Sequence, residues 1–246
     1  MSSAKIFGKF AFARGLRPRP ITTSSLYLHR RSVTIDATTT MESGSRLRHK
    51  KPAIFVCDLQ DKFRNAIHQF DKVVLTTQKV LRAAKILNIP VFATTQIAAK
   101  LGATVPEIQK EISASAVPYT EADKTAFSML GAAEISSAFP VPGHEIVIVG
   151  IESHICVTQT SLDLLARGHK VYVLADGVSS CNPQEIPIAL ARLRSEGAIV
   201  TTSESWLYEC MGDASIPEFR EIAKLVKETG ADTKAALAGL LGDPST

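Results

Sequence analysis

The chain has 246 residues, enough for one α/β domain of about 200 residues plus a tail. It is 45% hydrophobic, yet no apolar run approaches the roughly 18 to 20 residues a membrane-spanning helix needs, which excludes a membrane span. The formal net charge is +4, but residues 1–50 hold ten Lys or Arg against Asp36 and Glu42; their net of +8 leaves −4 for residues 51–246, which argues against a nucleic-acid partner.

The first 33 residues contain no acidic side chain, and "KIFGKFAFARGLRPRP" and "SSLYLHRR" mix Arg, Ser and aliphatic residues as a mitochondrial transit peptide does. A secretory signal fits poorly, because no unbroken apolar stretch follows the basic start. Met41 opens "MESGSRLRHKKPAIF" and offers an alternative start that would give a cytoplasmic form. The expected division is therefore residues 1–50 as a basic presequence or disordered tail, 51–230 as the folded domain and 231–246 as a C-terminal tail.

From Pro52 onward, short β-rich runs alternate with helical patterns, the signature of βαβ units and a mainly parallel sheet with helices on both faces, a three-layer α/β/α Rossmann-like fold. The strands read as "AIFVC" (53–57), "VFATT" (91–95), "EIVIVG" (145–150), "KVYVLA" (170–175) and "AIVTT" (198–202), near-continuously apolar as doubly covered strands should be. The segment "DKVVLTTQKVLRAAKILN" has apolar residues at mostly three- and four-residue spacing, with Pro90 closing it. Ser153 is a candidate N-cap for the helix carrying Leu162 and Leu165, which ends at Gly168. "NPQEIPIALARLRSEG" reads as a helix with an uncertain first turn at Pro187, followed by helices in "SESWLYECM" and "PEFREIAKLVKET". Residues 96–143 read as a long irregular stretch, and Asp232 to Thr246 as a weakly helical or frayed tail.

Ligands of open parallel sheets bind beyond the carboxyl ends of the strands, so the residues just after each strand carry the chemistry. After the first strand, "CDLQDKF" offers Asp58 and no glycine, which excludes phosphate-cradling glycine loops there. Asp58 alone fits a helix cap as well as a catalytic group. After "EIVIVG", Cys156 falls in the first helical turn, where free N–H groups and the helix dipole favour a thiolate and can hold an oxyanion. Its apolar neighbours Ile155 and Val157 fit a buried core sulfur equally well. Cys57, Cys181 and Cys210 lack this combination of strand end and helix start. The four cysteines show no C-x-x-C pair and no zinc-finger spacing, so reduced thiols are expected. Lys124 in "EADKTAFSML" would by itself be a solvated loop residue. With Asp58 and Cys156 it would complete a unit in which the carboxylate takes the thiol proton and the ammonium steadies the thiolate.

"FVCDLQDKF", "KTAFSM" and "GIESHICV", in this order, resemble the isochorismatase-like cysteine hydrolases. The branch of isochorismatase-domain-containing proteins, some of them mitochondrial, is similar also in "LADGVSS" and "WLYECMGDASIPEFREIAKLVK". The resemblance implies Asp58 as general base, Lys124 as the cation and Cys156 as the nucleophile. It further implies a cis peptide between Ile151 and Glu152, with the backbone N–H groups of Glu152 and Cys156 as the oxyanion hole. Substrate contacts are expected from Gln60, Phe63, Phe127 and the stretch 96–103. Nicotinamidases of this superfamily carry an Asp-x-His metal pair where this sequence reads "TTQIAAKLG", with Gln96 and no histidine. The resemblance thus implies a metal-independent hydrolase without cofactor, acting on a small amide, imide or isochorismate-like molecule, in a homo-oligomer. The alternative is a catalytically silent member that binds or scaffolds.

Residues 1–40 fused to a fluorescent protein are expected to carry it into mitochondria; a diffuse cellular signal would remove that assignment.

Overall fold

The structure, a computed structural model, describes residues 47–242. The basic segment read as a presequence lies outside them, except for its last residues. Those residues already belong to the fold: the Arg48 N–H donates to Cys210 O at 2.9 Å, and His49 is buried against Tyr172 and Trp206.

In chain order the elements are β1 (Pro52–Cys57), α1 (Phe70–Leu87), β2 (Val91–Gln96), α2 (Ala98–Leu101), α3 (Pro106–Ser113), β3 (Tyr119–Lys124), α4 (Ala133–Ser137) and β4 (Glu145–Ile151). They continue as α5 (Thr158–Ala166), β5 (Lys170–Ser179), α6 (Glu185–Ser195), β6 (Ile199–Thr201), α7 (Ser203–Met211), α8 (Phe219–Glu228) and α9 (Gly230–Leu241). The six strands form one parallel sheet in the order β3-β2-β1-β4-β5-β6.

Strand periodicity divides the core in two. Ile54 and Val56 of β1 point to the face covered by α1, α3 and α7 to α9, while Ala53, Phe55 and Cys57 point to the face covered by α4, α5 and α6. This is the three-layer α/β/α architecture expected from the sequence. Each fully buried Val, Leu, Ile or Phe in these two layers contributes about 1.5 to 3 kcal/mol of transfer free energy.

Strand order reverses between β1 and β4, which opens a crevice above their carboxyl ends. There Gly150 lies opposite Cys57 at φ 115°, and a Cβ at this position would collide with the Cys57 carbonyl. Only glycine lets β4 pass β1 so closely.

Several sequence expectations are corrected. The stretch 96–143 is not irregular: it holds α2, α3, β3 and α4, and Lys124 ends an edge strand rather than lying in a loop. "YTEADK" escapes detection because β3 is covered incompletely, so among its six residues only Ala122 and Lys124 are buried. Ser153 does not cap a helix. It begins a π-helical turn, Ser153–Val157, that leads into α5, and its buried hydroxyl makes no hydrogen bond. The stretch from Asp232, expected as a weakly helical or frayed tail, is helical as far as Leu241 in α9, with Thr233, Ala236 and Leu240 buried, and its last four residues lie outside the described residues; Thr233 Oγ1 accepts a 2.8 Å bond from the buried Lys79 of α1. Its weak apolar pattern, "GADTKAALAGLL", hid a helix that is stabilised by docking rather than by amphipathicity.

Candidate active site

Asp58 follows β1 directly and adopts φ 51°, a left-handed conformation that Asp tolerates better than most residues. Its N–H donates to Thr94 O at 3.1 Å, and its Oδ1 accepts from Thr94 Oγ1 at 2.7 Å. Both bonds turn the carboxylate back over the end of the sheet, where its Oδ2 accepts from Lys124 Nζ at 2.8 Å. Lys124 pairs with Gln96 across β2 and β3, and the two-residue alternation of β3 sends its side chain to the same face as the buried Ala122. The ammonium has three protons to give. They meet Asp58 Oδ2, Gln96 Oε1 at 2.6 Å and Cys156 Sγ at 4.0 Å.

Both charged side chains are essentially sealed, at 1% and 2% exposure. Burial alone would lower the Lys124 pKa. The Cys57, Asp58 and Cys156 groups, together with the Asp58 hydrogen bond, outweigh it, so the net direction is upward and the ammonium persists. Because the folded-state value is raised, the stabilisation from this proton is fully present below about 10.4 and is lost as pH climbs through the higher folded value.

Cys156 sits in the π-helical turn, where Glu152 O accepts from both Ile155 N and Val157 N at 3.1 Å. The widened turn places the sulfur over the reversal point, and such turns concentrate at functional sites. The Ile151–Glu152 peptide bond that precedes it is cis. A cavity of about 210 Å³ opens above the sulfur. Asp58, Gln96, Glu152 and Cys156 supply its polar wall, and Phe63, Leu101, Phe127 and Ile155 its apolar one. A larger groove of about 570 Å³ lies between α1, α3 and α8, but it is lined by surface ion pairs and aliphatic residues and holds no nucleophile.

Asp58, Lys124 and Cys156 thus come together, and Phe63, Phe127 and Glu152 line the space beside them. Gln60 does not. It is fully buried, its Nε2 donates to Gln96 O at 3.2 Å and Gly102 O at 2.6 Å, and its Oε1 accepts from Gln96 N at 2.7 Å. Its amide is committed to the backbone of the 96–102 loop, so it positions Gln96 rather than touching a substrate.

Thr94 and Cys57 are members of the cluster that sequence reasoning did not assign to it, and Gln96, expected among the substrate contacts of 96–103, lines the cavity and also holds Lys124. Gln96 Nε2 also donates to Thr125 O at 2.9 Å, which leaves the whole amide orienting Lys124 and its strand. The Cys57 sulfur lies 3.7 Å from Asp58 Oδ2. Burial first, then Cys156 and Asp58, push its thiol well up, so Cys57 stays protonated. The one signal in the sequence was the alternation Thr94-x-Gln96, which puts both side chains on one face of a strand end.

Removing one partner of a buried pair leaves the other charge uncompensated. Lys124→Met is therefore expected to lower unfolding free energy by roughly 3 to 5 kcal/mol. Combined with Asp58→Asn it should cost clearly less than the sum of the two single changes. Denaturant midpoints of the four proteins measure this; additive losses would mean the pair does not act as a unit.

Residues 52–205 match the family model described as the isochorismatase domain. The chain is 41% identical over 199 residues to the secreted isochorismatase effector Isc1 of Phytophthora sojae, covering 78% of this chain and 94% of that protein. It is 38% identical over 189 residues to human isochorismatase domain-containing protein 2, covering 77% and 87%. Among solved structures, MAR1 ribonuclease from Caenorhabditis elegans superposes with a TM-score of 0.67 at 38% identity, over 72% of this chain and 90% of that one. A parallel three-layer fold, a cavity at its reversal point and these matches agree, and the chain belongs to the isochorismatase-like hydrolase family.

Proposed function

We propose that the protein is a cysteine hydrolase of small neutral amides or imides, with Cys156 as nucleophile, Asp58 as general base and Lys124 as the cation. The single observation that carries this reading is the ammonium of Lys124, sealed from water and placed 2.8 Å from Asp58 Oδ2 and 4.0 Å from Cys156 Sγ, two groups that line the cavity. A buried ion pair is a poor way to stabilise a fold, since its desolvation offsets most of its attraction. Its retention beside a thiol in a cavity supports chemistry over a scaffold role.

In this mechanism Asp58 accepts the Cys156 proton as sulfur attacks the acyl carbon, and Lys124 holds the developing negative charge. The backbone N–H groups of Glu152 and Cys156 face the oxyanion. Collapse expels the amine, which takes the proton back from Asp58, and leaves a thioester that water cleaves with Asp58 again acting as base. The chemistry requires no metal, since the Gln96 amide that stands at the family's metal position is already bonded to Lys124 and Thr125.

The cavity argues for the substrate class. Its volume of about 210 Å³ suits a molecule below drug size, and among the described residues its ionisable lining groups are Asp58, Glu152 and Cys156, with no cation. A dicarboxylate such as isochorismate would meet no lining cation to pair with its charges. A neutral amide or imide meets an apolar slot with polar groups at one end. The net of −4 over residues 51–246 speaks against a surface that tracks RNA phosphates, the substrate class in the name of the C. elegans protein. A homo-oligomer belongs to the same reading.

Purified protein is expected to hydrolyse at least one member of a panel of small amides and imides faster than isochorismate or an RNA oligonucleotide. Cys156→Ala should lower that rate by roughly 10³-fold or more. Equal hydrolysis by both proteins would sink the mechanism, and isochorismate as the preferred substrate would sink the substrate class.

A further inference from the structure

The turn that carries Cys156 holds a second set of reactive groups that the hydrolytic reading does not use. Glu152 and His154 precede the nucleophile, and the loop after β5 brings Cys181 to them. One carboxylate oxygen, one imidazole nitrogen and the thiol sulfur all lie within 4.8 Å of one another. The arrangement is built rather than incidental. Glu152 Oε2 accepts the Cys181 N–H at 2.8 Å, so the carboxylate is already drawn to that loop. His154 Nδ1 lies 2.9 Å from the hydroxyl of the fully buried Ser180, which holds the ring against the same loop. Glu152 and His154 are half-buried and thus restrained, while the Cys181 thiol is exposed.

We propose that Glu152, His154 and Cys181 form a binding site for a divalent cation of the zinc class, a clamp between the nucleophile turn and the β5 loop. A mixed oxygen, nitrogen and sulfur donor set selects zinc-like ions over Mg²⁺ and Ca²⁺, which take oxygen ligands. Zinc bonds of about 2.0 to 2.3 Å place tetrahedral ligands closer together than the present limit, and rotation of the exposed thiol closes the difference. Three protein ligands leave the fourth position to water.

Binding breaks the S–H bond of Cys181, forms a metal–sulfur bond and releases the proton to solvent, so affinity rises with pH. The clamp does not rest on the hydrolytic reading. It acts on the same turn from the other side, through the Glu152 side chain rather than its backbone.

The full chain titrated with Co²⁺, a zinc substitute with visible thiolate bands, tests the site. One equivalent is expected to give a thiolate-to-cobalt charge-transfer band that Zn²⁺ displaces and Mg²⁺ does not. The band should persist in Cys156→Ala, disappear in Cys181→Ser and weaken about tenfold or more in affinity in His154→Ala. An unchanged unfolding midpoint of metal-free Cys181→Ser shows that this variant is folded. No band with millimolar Co²⁺, or a band that survives Cys181→Ser, overturns the proposal; loss in Cys156→Ala instead would put the ion on the catalytic thiol and leave the hydrolytic reading standing.

Discussion

The buried pair between Asp58 and Lys124 is the constraint on which the rest of the site depends. Two charges withdrawn from water cost several kcal/mol each, and only close, fully satisfied geometry offsets that cost. The sheet supplies this geometry through its strand order. β1 and β3 are not neighbours, so their terminal residues can meet only across β2, and β2 ends in Thr94 and Gln96, which bond to Asp58 and Lys124 respectively. On the other side of β1 lies β4, whose exit delivers Cys156. The cluster is therefore the top edge of four adjacent strands, and none of its members needs a flexible loop to find its partners.

The same geometry separates two thiols that sit close together. Cys57 is part of β1, sealed in the core, and its thiol is held protonated by burial and by its neighbours. Cys156 is almost as buried, yet it borders a cavity and faces an ammonium that carries a whole positive charge. Gly150 makes the distinction possible, because its missing side chain lets β4 run against Cys57 before the chain turns to present Cys156. Adjacent strands thus give the two thiols different surroundings, one a sealed strand core and the other the wall of a cavity.

Much of the fold was legible in the sequence for one physical reason. Strands covered on both faces must be apolar throughout, and β1, β4 and β5 announce themselves in "AIFVC", "EIVIVG" and "KVYVLA". The edge strand β3 obeys no such rule and was hidden, and with it the reason Lys124 is buried. The helix α9 was hidden too, because docking on α1 and β5 stabilises it and no local pattern encodes docking. At the site, Asp58 and Cys156 could be named as strand-end residues with the right chemistry, but position alone left each open between catalysis and structure. Family resemblance joined them to Lys124. The place of Gln60 behind the cavity and the missed role of Thr94 have one origin: which way a polar side chain turns at a strand end is decided by its partners in space.

In the proposed mechanism Lys124 activates Cys156 as a nucleophile. The most direct measurement is the rate at which iodoacetamide alkylates Cys156 at neutral pH, followed by peptide mass in the native protein and in Lys124→Met. Cys156 is expected to react faster than an ordinary free thiol of pKa about 8.5, and Lys124→Met to remove the difference. A Cys156 that labels no faster than such a thiol, or as fast without Lys124 as with it, would contradict this mechanism.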